Sequence, residues 1–137
     1  MNRPSFEEIC LQAAVALSAR STCRRLAVGA VIASTDFRKI LAWGYNGNAS
    51  GLKNDCDSDE PGKCGCIHAE TNAVVNCDAP RATEKVVLCT HLPCVACAKL
   101  LINLGNVKRV LYVNDYRIKD SLGLFETVGI EHQQFEI

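Results

Sequence analysis

Residues 66–113 read CIHAETNAVVNCDAPRATEKVVLCTHLPCVACAKLLINLGNVKRVLYV, and this stretch decides the fold. Residues 68–78 and 94–104 carry helical spacing, while Lys85 to Cys89 and Val107 to Val113 are short apolar runs of the buried-strand type. Helix and strand therefore alternate, which predicts helices packed on a sheet. Outward from this segment, residues near 120–128 predict a further helix and Ile130 to Ile137 a terminal edge strand. On the other side, Phe6, Ile9, Cys10, Ala13, Ala14, Val15 and Leu17 recur at helical spacing over residues 5–20, with Ser5 as N-cap. Leu26 to Ala33 and Lys39 to Trp43 read as two strands joined by a hairpin loop at Ser34–Arg38. Gly44-Tyr45-Asn46-Gly47 and the polar run to Gly65 read as one long loop, of a length that needs something to pin it. The expectation is one layered α/β domain over residues 1–137 with a mixed sheet.

Two short segments carry chemistry: Cys66-Ile67-His68-Ala69-Glu70 and Pro93-Cys94-Val95-Ala96-Cys97. Each is expected where a strand gives way to a helix. Cys94 and Cys97 are spaced i, i+3 and share a helical face, so both can reach one metal ion. Thiolates are favoured near helix N-termini, where backbone N–H groups lack partners. His68, Cys94 and Cys97 supply three ligands and leave one position open, as catalytic zinc requires. Water held there loses a proton near neutral pH, and Glu70, two residues from His68, is placed to shuttle it. The arrangement H-x-E…P-C-x-x-C is the signature of zinc-dependent nucleobase deaminases.

The composition agrees with a globular enzyme. The chain has 137 residues, 48% hydrophobic and 22% charged, with 15 basic and 15 acidic side chains. That balance speaks against a partner that is a long nucleic acid, whose phosphates demand a basic surplus. No run approaches the roughly 20 apolar residues of a membrane span, and the start lacks a secretory layout. A cytoplasmic location is expected. There the nine cysteines read as metal ligands and buried thiols rather than a disulfide framework.

Cys56, Cys64 and Cys66 crowd a polar loop and Cys23 precedes the first strand, whereas Cys10, Cys77 and Cys89 sit in apolar runs. Four thiolates would close a structural zinc site, with His91 as a substitute ligand. Arg24, Arg25, Arg117 and Lys119 are candidates for a phosphate, since arginine offers a planar fork of donors. Trp43 and Phe125 are expected in the core, and His132 on the surface.

Further motifs extend the match: Ser21-Thr22-Cys23-Arg24-Arg25 before Val28-Gly29-Ala30-Val31-Ile32, then Gly44-Tyr45-Asn46-Gly47, Asn72-Ala73, Cys97-Ala98-Lys99 and Asp115-Tyr116-Arg117. With them the chain resembles the cytidine and deoxycytidylate deaminase superfamily, most closely its deoxycytidylate (dCMP) branch. The resemblance implies a three-layer α/β/α fold with a mixed five-stranded sheet, and hydrolysis of dCMP to dUMP and ammonia. It implies His68, Cys94 and Cys97 as zinc ligands and Glu70 as proton shuttle. Asn46 would bind the sugar, the backbone around Ala69 the pyrimidine edge, and Arg25, Tyr116 and Arg117 the phosphate. It further implies a homo-oligomer, commonly a hexamer, and control by dCTP and dTTP, for which magnesium would accompany the triphosphate. A structural zinc in some members supports the cysteine cluster. The chain departs from many relatives in holding Arg25-Leu26 where paired arginines stand, and His91-Leu92 before Pro93. Two rivals stay open: the same chemistry on cytidine, guanine or tRNA adenosine, and a non-catalytic zinc module, against which Glu70 argues.

Overall fold

The computed structural model describes residues 2–137. Ser5 caps helix α1 (Phe6–Ser18), its Oγ accepting the Glu8 N–H at 3.1 Å, with Glu7 and Glu8 in the positive first turn. Cys10, Leu11 and Ala14 form the buried face of this helix. Five strands follow in a mixed sheet: β1 (Gly29–Ser34), β2 (Ile40–Tyr45), β3 (Lys85–His91), β4 (Val107–Asn114) and β5 (Glu131–Gln134). Helices α2 (Ala69–Asn76), α3 (Val95–Leu104) and α4 (Asp120–Thr127) complete the chain.

The sheet order is β2-β1-β3-β4-β5. β1 runs antiparallel to both neighbours, while β3, β4 and β5 are parallel. Parallel neighbours need crossovers, which α3 and α4 provide. β1 and β3 are buried almost throughout, as strands covered on both faces should be. Their alternate residues divide the core in two. Val31, Ala33, Val86, Leu88 and Leu111 pack with α1, while Ala30, Ile32, Val87, Cys89 and Val110 pack with α2, α3 and α4. The architecture is thus three layers, one helix on one face and three on the other.

Several boundaries differ from the sequence expectation. The first strand begins at Gly29, not Leu26, because the Asn46 side chain binds residues 26–28: its Oδ1 accepts from the Val28 N–H at 2.8 Å and its Nδ2 donates to the Leu26 carbonyl at 2.6 Å. Gly44 and Tyr45 belong to β2 rather than to the loop, pairing with Ala30 and Gly29. No strand runs directly into α2; a single bridge between Gly47 and Ile67 holds that approach. The last strand shrinks to Glu131–Gln134. Trp43 is 54% exposed on edge strand β2 and is not a core residue, whereas Phe125 is buried. His132 is half-buried and pairs with Glu126 at 3.0 Å.

Lys85, the first residue of β3, is fully buried. Its Nζ donates to the carbonyls of Thr83 and Gly105, both at 2.8 Å, and more weakly to those of Pro80 and Arg81. Burial lowers the ammonium pKa, and these carbonyls stand in for water around it.

Candidate metal centre and nucleotide pocket

The parallel strands β3 and β4 end on the same side, where open α/β sheets commonly bind ligands. β3 leads through Leu92 and Pro93 into Cys94, the N-cap of α3, and His68 is the N-cap of α2. Both caps have extended backbone, and the His68 side chain makes no capping bond. Its ring is therefore free to face the neighbouring helix. His68 Nδ1 lies 3.6 Å from Cys94 Sγ and 3.3 Å from Cys97 Sγ. A tetrahedral ion bound at about 2.0–2.3 Å spaces imidazole nitrogen and thiolate sulfur about 3.5 Å apart, so the three donors fit zinc. The triad is one of two groups of potential metal ligands among the described residues.

The electrostatics suit a cation. The Cys94 thiol is pulled down to about 4, first by the hydrogen bond with Cys97 and then by His68. Cys97 moves in the opposite direction, since its neighbour Cys94 takes the negative charge first. His68 is raised, chiefly by its hydrogen bond with Cys94. Two thiols and an imidazole thus share protons that a divalent ion would displace. Thr71, which sequence reasoning missed, sits one turn along α2 with its Oγ1 3.8 Å from Cys97 Sγ. A hydroxyl donor there orients a thiolate ligand. Its only sequence signal is its place one residue after Glu70.

Glu70 lies in the first turn of α2 and is 4% exposed. Burial raises its carboxyl pKa, so it holds a proton more readily than an ordinary glutamate. Beside it opens a cleft of about 560 Å³. Asn46, Ala69, Arg25, Tyr116 and Arg117 all line this cleft, together with His68, Glu70 and Cys94. Arg24 and Lys119 do not line it. Arg24 binds Asp55 at 2.6 Å and Asp59 at 2.5 Å, and Lys119 binds Asp115 at 3.2 Å. Both cations are occupied by carboxylates, Arg24 by those of the loop between β2 and α2 and Lys119 by one of its own loop. Leu26, Val28 and Leu92 add apolar wall that residue chemistry alone did not mark.

The second group is Cys23, Cys56, Cys64 and Cys66, whose sulfurs lie within 4.8 Å of one another. Cys56 Sγ is 3.9 Å from Cys23 Sγ and 3.8 Å from Cys66 Sγ, too long for a disulfide and close to the edge of about 3.8 Å in a zinc tetrathiolate. The Arg24 backbone N–H points at Cys56 Sγ, at 3.4 Å, and helps lower the thiol pKa. His91 is not part of this group: β3 carries it to the cleft wall, and four sulfurs already complete the set.

A mixed sheet with two helix caps converging on one H-x-E…C-x-x-C centre defines the cytidine deaminase-like class. The chain belongs to it: residues 4–114 match the family described as the cytidine and deoxycytidylate deaminase zinc-binding region. It is 33% identical to ComE operon protein 2 of Bacillus subtilis over 151 residues, covering 100% of this chain and 75% of that protein. It is 30% identical to the deoxycytidylate deaminase of Saccharomyces cerevisiae, covering 97% of this chain but 46% of the yeast enzyme, so it spans about half that relative's length. Among solved structures, the dCMP deaminase of cyanophage S-TIM5 in complex with dCMP and dUMP superposes with a TM-score of 0.85 at 32% identity, over 98% of this chain and 100% of that one.

Proposed function

We propose that this protein is a zinc-dependent deaminase that converts dCMP and water into dUMP and ammonia. The observation that carries the reading is the His68–Cys94–Cys97 triangle with buried Glu70 beside it, at a cleft that also reaches Arg25 and Arg117. The similarity to the S-TIM5 enzyme supports the choice of substrate. Zinc held by His68, Cys94 and Cys97 would supply a Lewis acid that lets water lose a proton near neutral pH. Glu70 takes one proton from the attacking water and delivers it to the pyrimidine ring nitrogen, then takes the second from the new hydroxyl and delivers it to the amine, which leaves as ammonia. The backbone at Ala69 meets the pyrimidine edge. Asn46 Oδ1 spends one lone pair on Val28 and keeps the other for a sugar hydroxyl. Arg25, Tyr116 and Arg117 hold the phosphate, where guanidinium forks match its oxygens.

Cys23, Cys56, Cys64 and Cys66 hold a second, structural zinc in this reading. Cys66 is two residues before His68, so the closed site braces the catalytic ligand from behind. Residues 1–137 act as one catalytic domain in the cytoplasm, where these thiolates stay reduced. Exposed Ile40, Trp43 and Val75 on and beside edge strand β2 favour self-association, and the family resemblance extends this to a hexamer governed by dCTP and dTTP with magnesium. Ammonia release from dCMP, deoxycytidine and CMP, with and without the two triphosphates, tests the whole reading. Selective turnover of dCMP with two zinc ions per chain is the expected result. Equal turnover of deoxycytidine removes the phosphate roles, and one zinc per chain with Cys56 open to alkylation removes the second site. Glu70→Gln retains zinc and loses about 10²–10⁴-fold in rate; a variant of undiminished rate overturns the shuttle.

A further inference from the structure

His91 has no place in either metal group, yet its surroundings fix its chemistry. It is the last residue of β3 and alternates with Val87 and Cys89, the strand positions that face α2 and α3. It lines the cleft and pairs in register with Asn114, from which the chain runs directly into Tyr116 and Arg117. His91 Nδ1 lies 2.9 Å from Thr90 Oγ1. Thr90 is 3% exposed, and its Oγ1 already accepts the Gly29 N–H at 3.1 Å. The hydroxyl proton has one acceptor among the described residues, His91 Nδ1. A buried hydroxyl satisfies both of its capacities only if that nitrogen carries a lone pair. The ring proton must then sit on Nε2, which has no partner among the described residues and belongs to a side chain of the cleft wall.

We propose that His91 is a specificity-determining residue of the nucleotide pocket, its Nε2–H donating to the 5′-phosphate, with Thr90 the positioning residue that selects the tautomer. The assignment rests on the dCMP reading above. The phosphate is the end of the nucleotide richest in acceptors, and the wall that carries His91 continues into Tyr116 and Arg117. Burial lowers the imidazole pKa, so the ring meets the ligand as a neutral donor and contributes direction rather than charge. Hydrogen bonds to charged acceptors are the stronger kind.

The test compares dCMP with deoxycytidine in the zinc-loaded wild type and in His91→Leu, His91→Gln and Thr90→Val. Leucine fills the space without a donor, and glutamine places an amide N–H near the Nε2 position. His91→Leu should lower kcat/KM for dCMP about 10- to 100-fold, mostly through KM, and leave deoxycytidine within about twofold. His91→Gln should recover most of the loss. Thr90→Val, which keeps the ring but frees its tautomer, should fall between. Equal losses on both substrates, or a His91→Leu enzyme that handles dCMP like wild type, overturn the assignment while leaving the substrate reading intact. A wild type that does not turn over dCMP overturns both.

Discussion

Gly44 is where β2 and α2 come closest, and adding one methyl group there should separate stability from catalysis. A Cβ at this position would stand 2.6 Å from the Ala69 carbonyl oxygen and 2.6 Å from the Ala73 amide nitrogen, both backbone atoms of α2. No side-chain rotation can relieve that overlap. Restoring the 3.4 Å of ordinary contact from 2.6 Å requires a shift of about 0.8 Å, taken up by the helix that carries Glu70 and begins at His68. Overpacking of this kind costs about 1–3 kcal/mol. A displacement near 1 Å at the reacting groups costs about 10²-fold in rate. Gly44→Ala should therefore lower Tm by several degrees and kcat/KM for dCMP by about 100-fold, measured by the absorbance change of deamination at a temperature where the variant is folded. Leu11→Ala provides the comparison. Leu11 is fully buried on α1, across the sheet from the site, and its loss should cost about 3 kcal/mol with kcat/KM unchanged at that temperature. A folded Gly44→Ala enzyme of wild-type activity, or a Leu11→Ala enzyme that is equally impaired, would refute the argument that α2 placement limits the reaction.

Lys85→Met should destabilise the chain by about 2–4 kcal/mol in urea unfolding, since the buried carbonyls of Thr83 and Gly105 lose their donor; an unchanged midpoint would show the lysine to be dispensable. Arg24→Ala should leave KM for dCMP unaltered because Arg24 is engaged by Asp55 and Asp59, whereas Arg25→Ala and Arg117→Ala should raise KM for dCMP but not for deoxycytidine. If Arg24→Ala raises KM as strongly as the other two, the division of the arginines is wrong. The lowered pKa of His91 means that the unfolded chain binds this proton more readily than the folded one. Its contribution to stability is whole above the ordinary value of 6.5 and is lost as pH falls through the lower native value. Denaturation between pH 7.5 and 5 should accordingly show a shallower acid decline for His91→Leu than for wild type, and parallel curves would remove the linkage.

The residues of the candidate metal centre were legible in sequence because their chemistry is local. A cysteine N-cap followed three residues later by a second cysteine brings two sulfurs to one helix end whatever surrounds it, and His-x-Glu does the same for ligand and acid. The alternation of helix and strand was legible for a similar reason: β1 and β3 are apolar on both faces, and α1 repeats its buried side at Cys10, Leu11 and Ala14. Exposure of Trp43 was not, because an edge position is a property of sheet order and not of the residue. Nor was the start of β1, since Asn46 reaches back some twenty residues to occupy the backbone of residues 26–28. The cationic candidates separated only once Arg24 met the acids of the loop between β2 and α2 and Lys119 met Asp115 of its own loop.

By itself, then, the sequence determined the donor types, their spacing and the elements that carry them. The tertiary structure decided which donors meet. His68 and Cys94 are 26 residues apart, and Cys23 and Cys56 are 33 apart; no local rule joins them. The close approach of α2 to β2 at Gly44 and the crossover through α3 set those distances. His91 shows the same division: its ring is written in the sequence, but the tautomer it presents follows from Thr90, Gly29 and the pairing of β1 with β3, because proton position depends on contacts that only the folded chain makes.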